Sequence, residues 1–387
     1  MAEWFKALVS KTSSQLLHWD EGSNPSSSAM VKPNTAVCTI SPQKVKKILV
    51  IRFSSLGDII LLNPIFKTIK ALWPDREMIF VTKYTYRKIA INNPYVDKCV
   101  FLNEEGKTLS KMIYELANMG RFEYIFDMHN NIRSFLIKLF IRGNYRHTIN
   151  KFTVKRYLTI WTKRDYKIPD AVERYKNVIL SAARTSHISA QLNYEFFIPN
   201  INYYKNLSYS ILPQEYDNRY ICISPGAKWL TKRWPVEKYA ELLKFLINDA
   251  EESIVLTGDK DEIAIGERLL SLVNNKDKNV RVINLIGRTA LDELVGIVSR
   301  AKLYIGNDSG TSHIAAMANV PSVIILGPTD KKLGFFPYKN NNVYIIEKSL
   351  NCRPCTLHGR NRCPKKHFKC MYDITAEEVY MAARRLL

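Results

Sequence analysis

Residues 44–74 read KVKKILVIRFSSLGDIILLNPIFKTIKALWP, and this stretch passes from a basic entry into a short apolar run, a polar turn and a helical pattern. A short apolar run bounded by lysines and a glycine turn is typical of a buried parallel strand. The helical pattern ends near Pro74, and EMIFVT (residues 77–82) follows as a second apolar run. The stretch therefore predicts a βαβ unit at the start of the folded chain.

The alternation of strand and helix patterns continues through the chain and restarts near its middle. In the first half, KCVFL (98–102) and FEYIFDM (122–128) each predict a strand that ends in a polar turn. In the second half, RYICISPG (219–226) runs into a glycine turn, and the alternation continues to PSVIILG (321–327). The sequence therefore predicts an α/β fold of two Rossmann-like, doubly wound domains, whose strand ends face a central cleft.

Shifts in composition predict where these domains begin and end. We expect a first domain over residues 44–205 and a second over 215–348, with an Asn- and Tyr-rich linker around 200–218. Residues 349–387 form a Cys-rich tail with a final helix, which opens with a Thr-x-x-Glu capping box. Residues 1–43 show no sustained periodicity and predict a disordered extension whose native origin stays open.

The composition indicates a well-packed and basic protein. Its 387 residues are too many for one ordinary core, and an apolar fraction of 46% argues against large-scale disorder. Lys and Arg outnumber Asp and Glu by 57 to 36, which gives a net charge of +21 spread along the chain. The expected partner is therefore anionic: a nucleic acid, an acidic membrane surface or a phosphorylated small molecule. No nucleic-acid-binding module is evident, so nucleic acid is the least favoured of these.

The sequence also predicts a location. No stretch approaches the roughly 18 to 20 uninterrupted apolar residues of a spanning helix. The first thirty residues lack the basic start, continuous apolar core and cleavage site of a signal peptide. Cys38, Cys99 and Cys222 are scattered singly, which suits a reducing compartment. We therefore expect a cytoplasmic protein that is not integral to a membrane.

The first candidate site is the turn Ser54 to Asp58, between the opening strand and its helix. Gly57 permits a tight turn, and Asp58 would lie at or just inside a helix N-terminus. A carboxylate at the cleft can accept a proton from an attacking hydroxyl, which would make Asp58 a general base. Asp is also a preferred N-cap, so a purely structural role is an equal alternative.

Two further turns stand at predicted strand ends in the second half. Gly226 precedes the adjacent cations Lys232 and Arg233, a plausible diphosphate site, although ordinary surface cations are as common. GNDSGTSH (306–313) offers small residues and a helix N-terminus, which together attract phosphate. His313 by itself is more often a core or capping histidine than a catalytic residue.

These blocks resemble a known family. KILVIRFSSLGDIILLNPIF, SPGAKWLTKRWPVEKY and YIGNDSGTSHIAAMANVPSVIILGPTD are similar to the signature blocks of glycosyltransferase family 9, the ADP-heptose:lipopolysaccharide heptosyltransferases. The similarity runs from about Lys46 to the C-terminus. It implies a GT-B fold and an inverting, metal-independent transfer, in which Asp58 is the catalytic base and Lys232 faces the donor diphosphate.

The resemblance also implies binding residues for both substrates. Acceptor contacts fall on the turns of the first domain, where Asn130 and Asn131 depart from the family's commoner Gln-Gly pair. Arg133 is expected to read an acceptor carboxylate or phosphate. The implied acceptor-binding residues are Ser55, Gly57, His129, Asn130 and Arg133. The implied donor-binding residues are Gly226, Lys232, Thr257, Gly258, Glu262, Asp308, Ser309, Gly310 and His313.

The tail carries the strongest metal-like pattern in the chain. Cys352, Cys355, Cys363 and Cys370 could close a tetrahedral structural zinc site, and packed thiols or disulfides are the alternatives. In either case we expect the tail to lie outside the catalytic turns. No cofactor is expected for catalysis.

The leading hypothesis is an enzyme that transfers heptose from ADP-heptose to the inner core of lipopolysaccharide, as a monomer peripheral to the inner face of the inner membrane. Its net charge of +21 suits an acceptor in an anionic leaflet. Residues 145–164, both basic and aromatic, are a candidate membrane- or acceptor-facing surface, with a solvated helix as the alternative. A sugar-nucleotide epimerase of the same fold and a non-catalytic nucleotide-binding protein are the other hypotheses.

Overall fold

The structure is a computed structural model that describes residues 46–104, 106, 108–189, 195–249, 252–273, 282–335 and 342–387. It contains two parallel β-sheets, one in each half of this part of the chain. The disordered extension expected over residues 1–43 lies outside the described residues.

The first sheet has five strands in the order β3-β2-β1-β4-β5, and all of its neighbouring strands are parallel. Its strands are β1 (Lys47–Ile51), β2 (Glu77–Lys83), β3 (Lys98–Leu102), β4 (Phe122–Asp127) and β5 (Gly143–Thr148). Its helices are α1 (Leu56–Ile60), α2 (Asn63–Leu72), α3 (Arg87–Ile91), α4 (Leu109–Asn118), α5 (Ile132–Phe140), α6 (Thr153–Thr162) and α7 (Ala171–Thr185). The βαβ unit predicted from residues 44–74 is confirmed, with its helical part divided between α1 and α2.

The second sheet has six parallel strands in the order β11-β10-β9-β6-β7-β8. Its strands are β6 (Tyr220–Ser224), β7 (Ser253–Leu256), β8 (Val282–Asn284), β9 (Leu303–Asn307), β10 (Ser322–Leu326) and β11 (Val343–Glu347). The helices of this half are α8 (Ile201–Ser208), α9 (Val236–Asp249), α10 (Ile263–Val273), α11 (Leu291–Ser299), α12 (Gly310–Met317), α13 (Lys369–Tyr372) and α14 (Ala376–Arg384). The predicted arrangement of two doubly wound α/β halves is therefore confirmed.

The central strands of both sheets have continuous apolar sequences and not an alternation of apolar and polar residues, because they are buried on both faces. Ile48 to Ile51 in β1 and Ile221 to Ile223 in β6 are fully buried on both sheet faces. Helices cover both sides of a parallel sheet, so every side chain of a central strand reaches a core.

The segment expected to be a linker is partly helical. Residues 201–208 form α8, which packs tightly against α11: a Cβ added to Gly296 would lie only 2.0 Å from the Tyr204 carbonyl oxygen. The Asn- and Tyr-rich composition suggested a loop, but Tyr204 is buried and fixes the helix by packing. Tertiary contacts have overridden weak local propensity here.

The tail is also part of the second half. Thr375 and Glu378 form the predicted capping box at the start of α14, with the Glu378 carboxylate accepting from the Thr375 amide at 2.8 Å. The Trp234 indole donates to the Ile374 carbonyl at 3.2 Å, which ties the tail to the loop before α9. Within the described residues, no helix is both long and apolar enough to span a bilayer.

Candidate active site

The turn after β1 places Asp58 in the third position of α1. Ser55 is the N-cap, and the Asp58 carboxylate accepts from both the Ser55 amide (3.1 Å) and the Ser55 hydroxyl (2.8 Å). Asp58 is therefore not the N-cap that the structural alternative expected, but it does cap the helix from inside, as the carboxylate of a capping box. The capping box also holds the carboxylate at the carboxyl edge of the first sheet, so capping and a functional role are compatible.

Two residues from elsewhere in the first half complete the surroundings of Asp58. Arg52 pairs with Asp58 Oδ2 at 2.5 Å, and the Tyr175 hydroxyl donates to Oδ1 at 3.2 Å. Burial disfavours the charged carboxylate, but the charge of Arg52 and the hydrogen bonds from Ser55 outweigh it and hold the pKa of Asp58 far below its usual range. Asp58 is therefore ionised throughout the physiological pH range.

Cations and a histidine gather around this carboxylate. Burial, and then the charges of Arg52 and Lys151, lower the pKa of His129 to about 4. Burial and the neighbouring Arg174 lower the pKa of Arg156 to about 9. Positive groups held close together in a partly buried site disfavour one another's charge. The cleft side of the first half is thus a basic pocket, and an anion bound there would relieve the repulsion.

In the second half, Asn307 at the end of β9 fixes the loop that carries Lys232. Its side-chain amide donates to the Pro225 carbonyl at 2.8 Å, and its side-chain oxygen accepts from the Trp234 amide at 3.0 Å. Arg233 donates to the Ala227 carbonyl at 2.7 Å, so it closes this loop. Of the two adjacent cations, Lys232 is the one directed toward the next turn.

Lys232 meets the turn after β9. Its ammonium group lies 2.5 Å from Asp308 Oδ2, and Thr329 donates to the same oxygen at 3.3 Å. Ser309 is the N-cap of α12, which begins at Gly310. A cation and a helix N-terminus therefore lie side by side, and both attract phosphate oxygens.

The turns of the two halves are in direct contact. A Cβ added to Gly57 would lie 2.3 Å from the His313 ring, and one added to Gly310 would lie 3.0 Å from the Leu56 side chain. Burial is the main cause of the lowered pKa of His313. The charges of Asp308 and Asp58 act to raise this pKa, and that of Lys232 acts to lower it. The structure thus brings the predicted base and the predicted donor-binding turn to one cleft.

The remaining predicted donor residues form a compact group beside Gly226. The Glu262 carboxylate packs so close to the backbone that a Cβ on Gly226 would lie 2.0 Å from Glu262 Cδ, and one on Gly258 would lie 2.7 Å from its Oε2. Burial raises the pKa of Glu262. Thr257 is fully buried, with its hydroxyl 2.8 Å from that of Ser224. Glu262 Oε2 also accepts from the Asp259 amide at 2.9 Å, which closes the capping box at residues 259–262.

The predicted acceptor residues are less uniform. His129 lies in the basic pocket. The Asn130 side-chain amide instead donates to the Ile149 carbonyl at 2.8 Å, and this hydrogen bond joins the loops after β4 and β5. Arg133 is exposed on the first turn of α5. Lys151 and Arg156, which fall within the basic and aromatic stretch 145–164 expected to face the acceptor or the membrane, lie closer to the charges around Asp58.

The sequence missed Arg52 and Tyr175. Arg52 directly follows β1, so a cation at this sheet edge was detectable in the opening stretch. Tyr175 lies 117 residues from Asp58 along the chain, and no local pattern connects the two. Only the packing of α7 beside the turn places its hydroxyl on the carboxylate.

The tail lies nearer to the site than its sequence suggested. The Arg360 amide donates to the Thr231 hydroxyl at 2.8 Å, next to Lys232, and the His358 ring lies 4.9 Å from that of Phe335. Phe335 in turn lies 4.0 Å from the Arg156 guanidinium. The tail thus lies outside the catalytic turns, but it folds back over the loop that carries Lys232.

The four tail cysteines are free thiols. Burial, followed by the neighbouring Cys352 and Cys363, raises the pKa of Cys355, and Cys352 Sγ lies 3.9 Å from His367 Nε2. Across the part of the chain that the structure describes, no group of three or more ligating side chains stands in metal-binding geometry. The tail thiols are neighbours, and zinc remains a prediction.

Comparison with known proteins identifies the family. The model of glycosyltransferase family 9 (heptosyltransferase) matches residues 112–366, more than half of the chain. This chain belongs to glycosyltransferase family 9. The resemblance seen in the sequence is thereby confirmed, and the protein is a glycosyltransferase.

Individual relatives agree with this assignment. The glycosyltransferase is 24% identical to lipooligosaccharide heptosyltransferase 2 of Campylobacter jejuni over 334 residues, which cover 86% of this chain and 95% of the relative. The solved structure of Escherichia coli ADP-heptose lps heptosyltransferase II is similar with a TM-score of 0.66 at 24% identity, covering 88% of this chain and 98% of that one. E. coli heptosyltransferase WaaC with ADP-2-deoxy-2-fluoro heptose gives a TM-score of 0.62 at 18% identity, over 88% and 100%. These similarities confirm the expected GT-B fold.

Proposed function

We propose that this glycosyltransferase moves a heptose from ADP-heptose to an anionic acceptor in the inner core of lipopolysaccharide, with inversion at the anomeric carbon. The observation that carries the proposal is the contact of Gly57 with His313, which puts Asp58 and the Lys232–Asp308 pair in the same cleft. The relatives, named as lipopolysaccharide and lipooligosaccharide heptosyltransferases, support the choice of sugar and acceptor.

The proposed reaction is a direct displacement. The acceptor oxygen bonds to the anomeric carbon, the bond from that carbon to the diphosphate breaks, and the hydroxyl proton passes to Asp58. Asp58 Oδ2 is held by Arg52 and Ser55, so Oδ1, which faces Tyr175, is the oxygen that receives the proton. The residues described need no metal for these steps.

The leaving group determines the role of the second half. Negative charge builds on the diphosphate as the bond breaks, and preorganised positive groups stabilise that charge. Lys232 and the start of α12 supply them, with Asp308 holding Lys232 at 2.5 Å until the diphosphate competes for it. Glu262 is the candidate partner for the donor's nucleoside.

The basic pocket supports an acceptor that carries phosphate or carboxylate. His129, Lys151 and Arg156 have pKa values lowered by burial and by neighbouring cations, and an anion would offset that repulsion. Arg156 is buried, and its Nη2 has no hydrogen-bond partner in the described structure. We place the enzyme in the cytoplasm, as a monomer at the inner face of the inner membrane, because that face presents an anionic acceptor.

We further propose that Cys352, Cys355, Cys363 and Cys370 hold a structural zinc ion that takes no part in the transfer. Four thiolates are the donor set that tetrahedral zinc prefers. The thiols are neighbours without metal-binding geometry in the described structure, so binding would have to draw them together.

The decisive experiment measures ADP release from ADP-heptose with deacylated lipopolysaccharide core as acceptor. Asp58→Asn keeps the size of the side chain but cannot accept the proton, so kcat should fall by about 10² to 10⁴. Asp165→Asn, an exposed carboxylate outside the cleft, is the matched control and should leave kcat unchanged.

Each outcome has a definite meaning. Acceptor-dependent release that is lost only in Asp58→Asn supports the reaction and the base. Tight binding of ADP-heptose without turnover on any core acceptor would disprove the acceptor. Failure of ADP-heptose to bind would disprove the donor.

A further inference from the structure

Helix α5 exposes an apolar stripe. Ile132, Phe135 and Leu139 are 76%, 58% and 61% exposed, and their spacing places them on one helix face. Ser134 and Ile137, on the other face, are fully buried. One face of α5 therefore packs into the core, and the other face exposes large apolar side chains to water.

Helix α6 has the same design. Val154, Tyr157 and Trp161 are 74%, 59% and 82% exposed, again on one face, whereas Arg156 and Thr159 are buried on the opposite face. A shallow groove of about 610 Å³ runs along this helix beside Leu158 and Lys163. An exposed Trp and Tyr beside aliphatic side chains are typical of a surface that enters a membrane interface.

The charge of this region is of one sign. Residues 128–164 contain nine lysines and arginines and no aspartate or glutamate. Arg133 on α5 and Lys155 and Arg164 at α6 are exposed beside the apolar stripes. Two copies of the chain that met through this surface would oppose cation to cation, so a second copy is a poor occupant. An anionic surface with an apolar interior matches both features.

Both helices begin at the cleft edge of the first sheet. α5 follows β4 and α6 follows β5, and these strands are neighbours. Arg156 extends from α6 into the basic pocket around Asp58. A partner held on the exposed faces of α5 and α6 would therefore lie beside the acceptor side of the cleft.

We propose that the exposed faces of α5 and α6 form a docking surface for a bilayer of anionic phospholipid. The cations approach the headgroups, and Phe135, Leu139, Tyr157 and Trp161 enter the boundary between headgroups and acyl chains. The inference rests on the proposed function for its purpose, which is to bring the cleft to a lipid-linked acceptor, but the binding itself can be measured without any substrate.

The test uses the full chain and vesicles of phosphatidylglycerol mixed with phosphatidylcholine, with pure phosphatidylcholine vesicles for comparison. The double variant Phe135→Ser/Trp161→Ser removes apolar area without changing charge and should partition onto the anionic vesicles at least about tenfold more weakly. Phe245→Ser, an exposed aromatic on α9 in the other half, is the matched control and should bind like the wild type.

Turnover of water-soluble deacylated acceptor separates docking from chemistry. The double variant should keep wild-type turnover on that acceptor, because its changed side chains lie outside the cleft. Equal vesicle binding by the double variant, or no binding of the wild type to anionic vesicles, would overturn the docking surface. Self-association of the wild type that the double variant abolishes would assign the surface to a second copy instead. Vesicle binding by an enzyme that shows no turnover would sustain docking while the proposed function fails.

Discussion

At the scale of single residues, one arginine has the largest part in lowering the pKa of the carboxylate proposed as the base. Asp58 accepts hydrogen bonds from its own turn and from Tyr175, but its largest stabilising influence is the charge of Arg52. Burial acts in the opposite direction and raises the pKa of Asp58. The ionised state of Asp58 thus depends on the ion pair.

Replacing Arg52 by glutamine should expose that dependence. Without the cation, only the hydrogen bonds from Ser55 oppose the effect of burial, and the pKa of Asp58 should rise. Because the base works only when ionised, activity is lost as pH falls through its pKa, so the acid limb of the kcat/KM profile should move upward. The pH dependence of ADP release measures the shift.

Arg76→Gln is the matched control, since Arg76 pairs with Glu123 away from the cleft. Its pH profile should coincide with that of the wild type. An acid limb that stays in place in Arg52→Gln would show that Arg52 does not set the ionisation of Asp58.

At the scale of elements, α1 and α12 are in contact through two glycines, Gly57 and Gly310. A side chain added at Gly57 would disturb this contact more than one added at Gly310. A Cβ on Gly57 would meet the buried His313 ring at 2.3 Å, whereas one on Gly310 would meet the flexible Leu56 side chain at 3.0 Å. Gly57→Ala must therefore displace one turn relative to the other.

Misplacement of about 1 Å can reduce a rate by about 10²-fold, and kcat of Gly57→Ala should fall by about that much. Gly310→Ala should lose less than tenfold, because Leu56 needs to shift only slightly to make room for the added methyl group. Steady-state kinetics with both substrates at saturation measures the pair. Equal losses in the two variants would mean that the fit of His313 against Gly57 is not what aligns the turns.

The elements also show what the sequence could reveal. Apolar runs such as KILVI predicted β1, because a central parallel strand is buried on both faces, and the turns that carry Asp58 and Asp308 follow strand ends as expected. The α8 helix was taken for a linker because its stability comes from packing Tyr204 against α11. Tyr175 could not be assigned, and Arg156 could be assigned only to the basic stretch 145–164, since their contacts join distant segments of the chain.

At the same scale, the proposed zinc site in the Cys-rich tail can be tested by measuring the metal content of the protein. If four thiolates bind zinc, the purified chain should carry about one equivalent by elemental analysis, and a chelator should lower its melting temperature. Cys355→Ser should reduce the zinc content, whereas Cys99→Ser, far from the tail in β3, should not. Full occupancy in Cys355→Ser, or no metal in the wild type, would contradict the proposal.

At the scale of the whole molecule, the two halves share more than their facing turns. Lys88 on α3 pairs with the buried Asp292 on α11 at 2.9 Å, and Ile60, Tyr204 and Val295 belong to one apolar cluster. Packing of this kind resists free rotation of one half against the other. The contacts nearest to the cleft are more polar and are better suited to change when substrates bind.

Phe335 is the centre of those polar contacts. Arg156 and Arg174 from the first half lie 4.0 and 6.0 Å from its ring, and they donate to the carbonyls of Leu333 (2.9 Å) and Gly334 (2.9 Å). The segment 333–335 thus links the basic pocket of the acceptor half to the half that carries Lys232.

Phe335→Ala removes the ring from this link without touching either turn, and it leaves the two hydrogen bonds to the Leu333 and Gly334 carbonyls in place. Loss of the cation–π contacts should lower kcat/KM about tenfold, equivalent to ~1.4 kcal/mol, because the hydrogen bond to the Leu333 carbonyl alone holds Arg156 less firmly toward Asp58. ADP binding measured by calorimetry should be unchanged, since Lys232 and α12 are intact. Phe245→Ala on α9 controls for the loss of an aromatic side chain. Weaker ADP binding in Phe335→Ala would instead make the ring part of the donor site, and unchanged kinetics would show that the halves stay aligned without it.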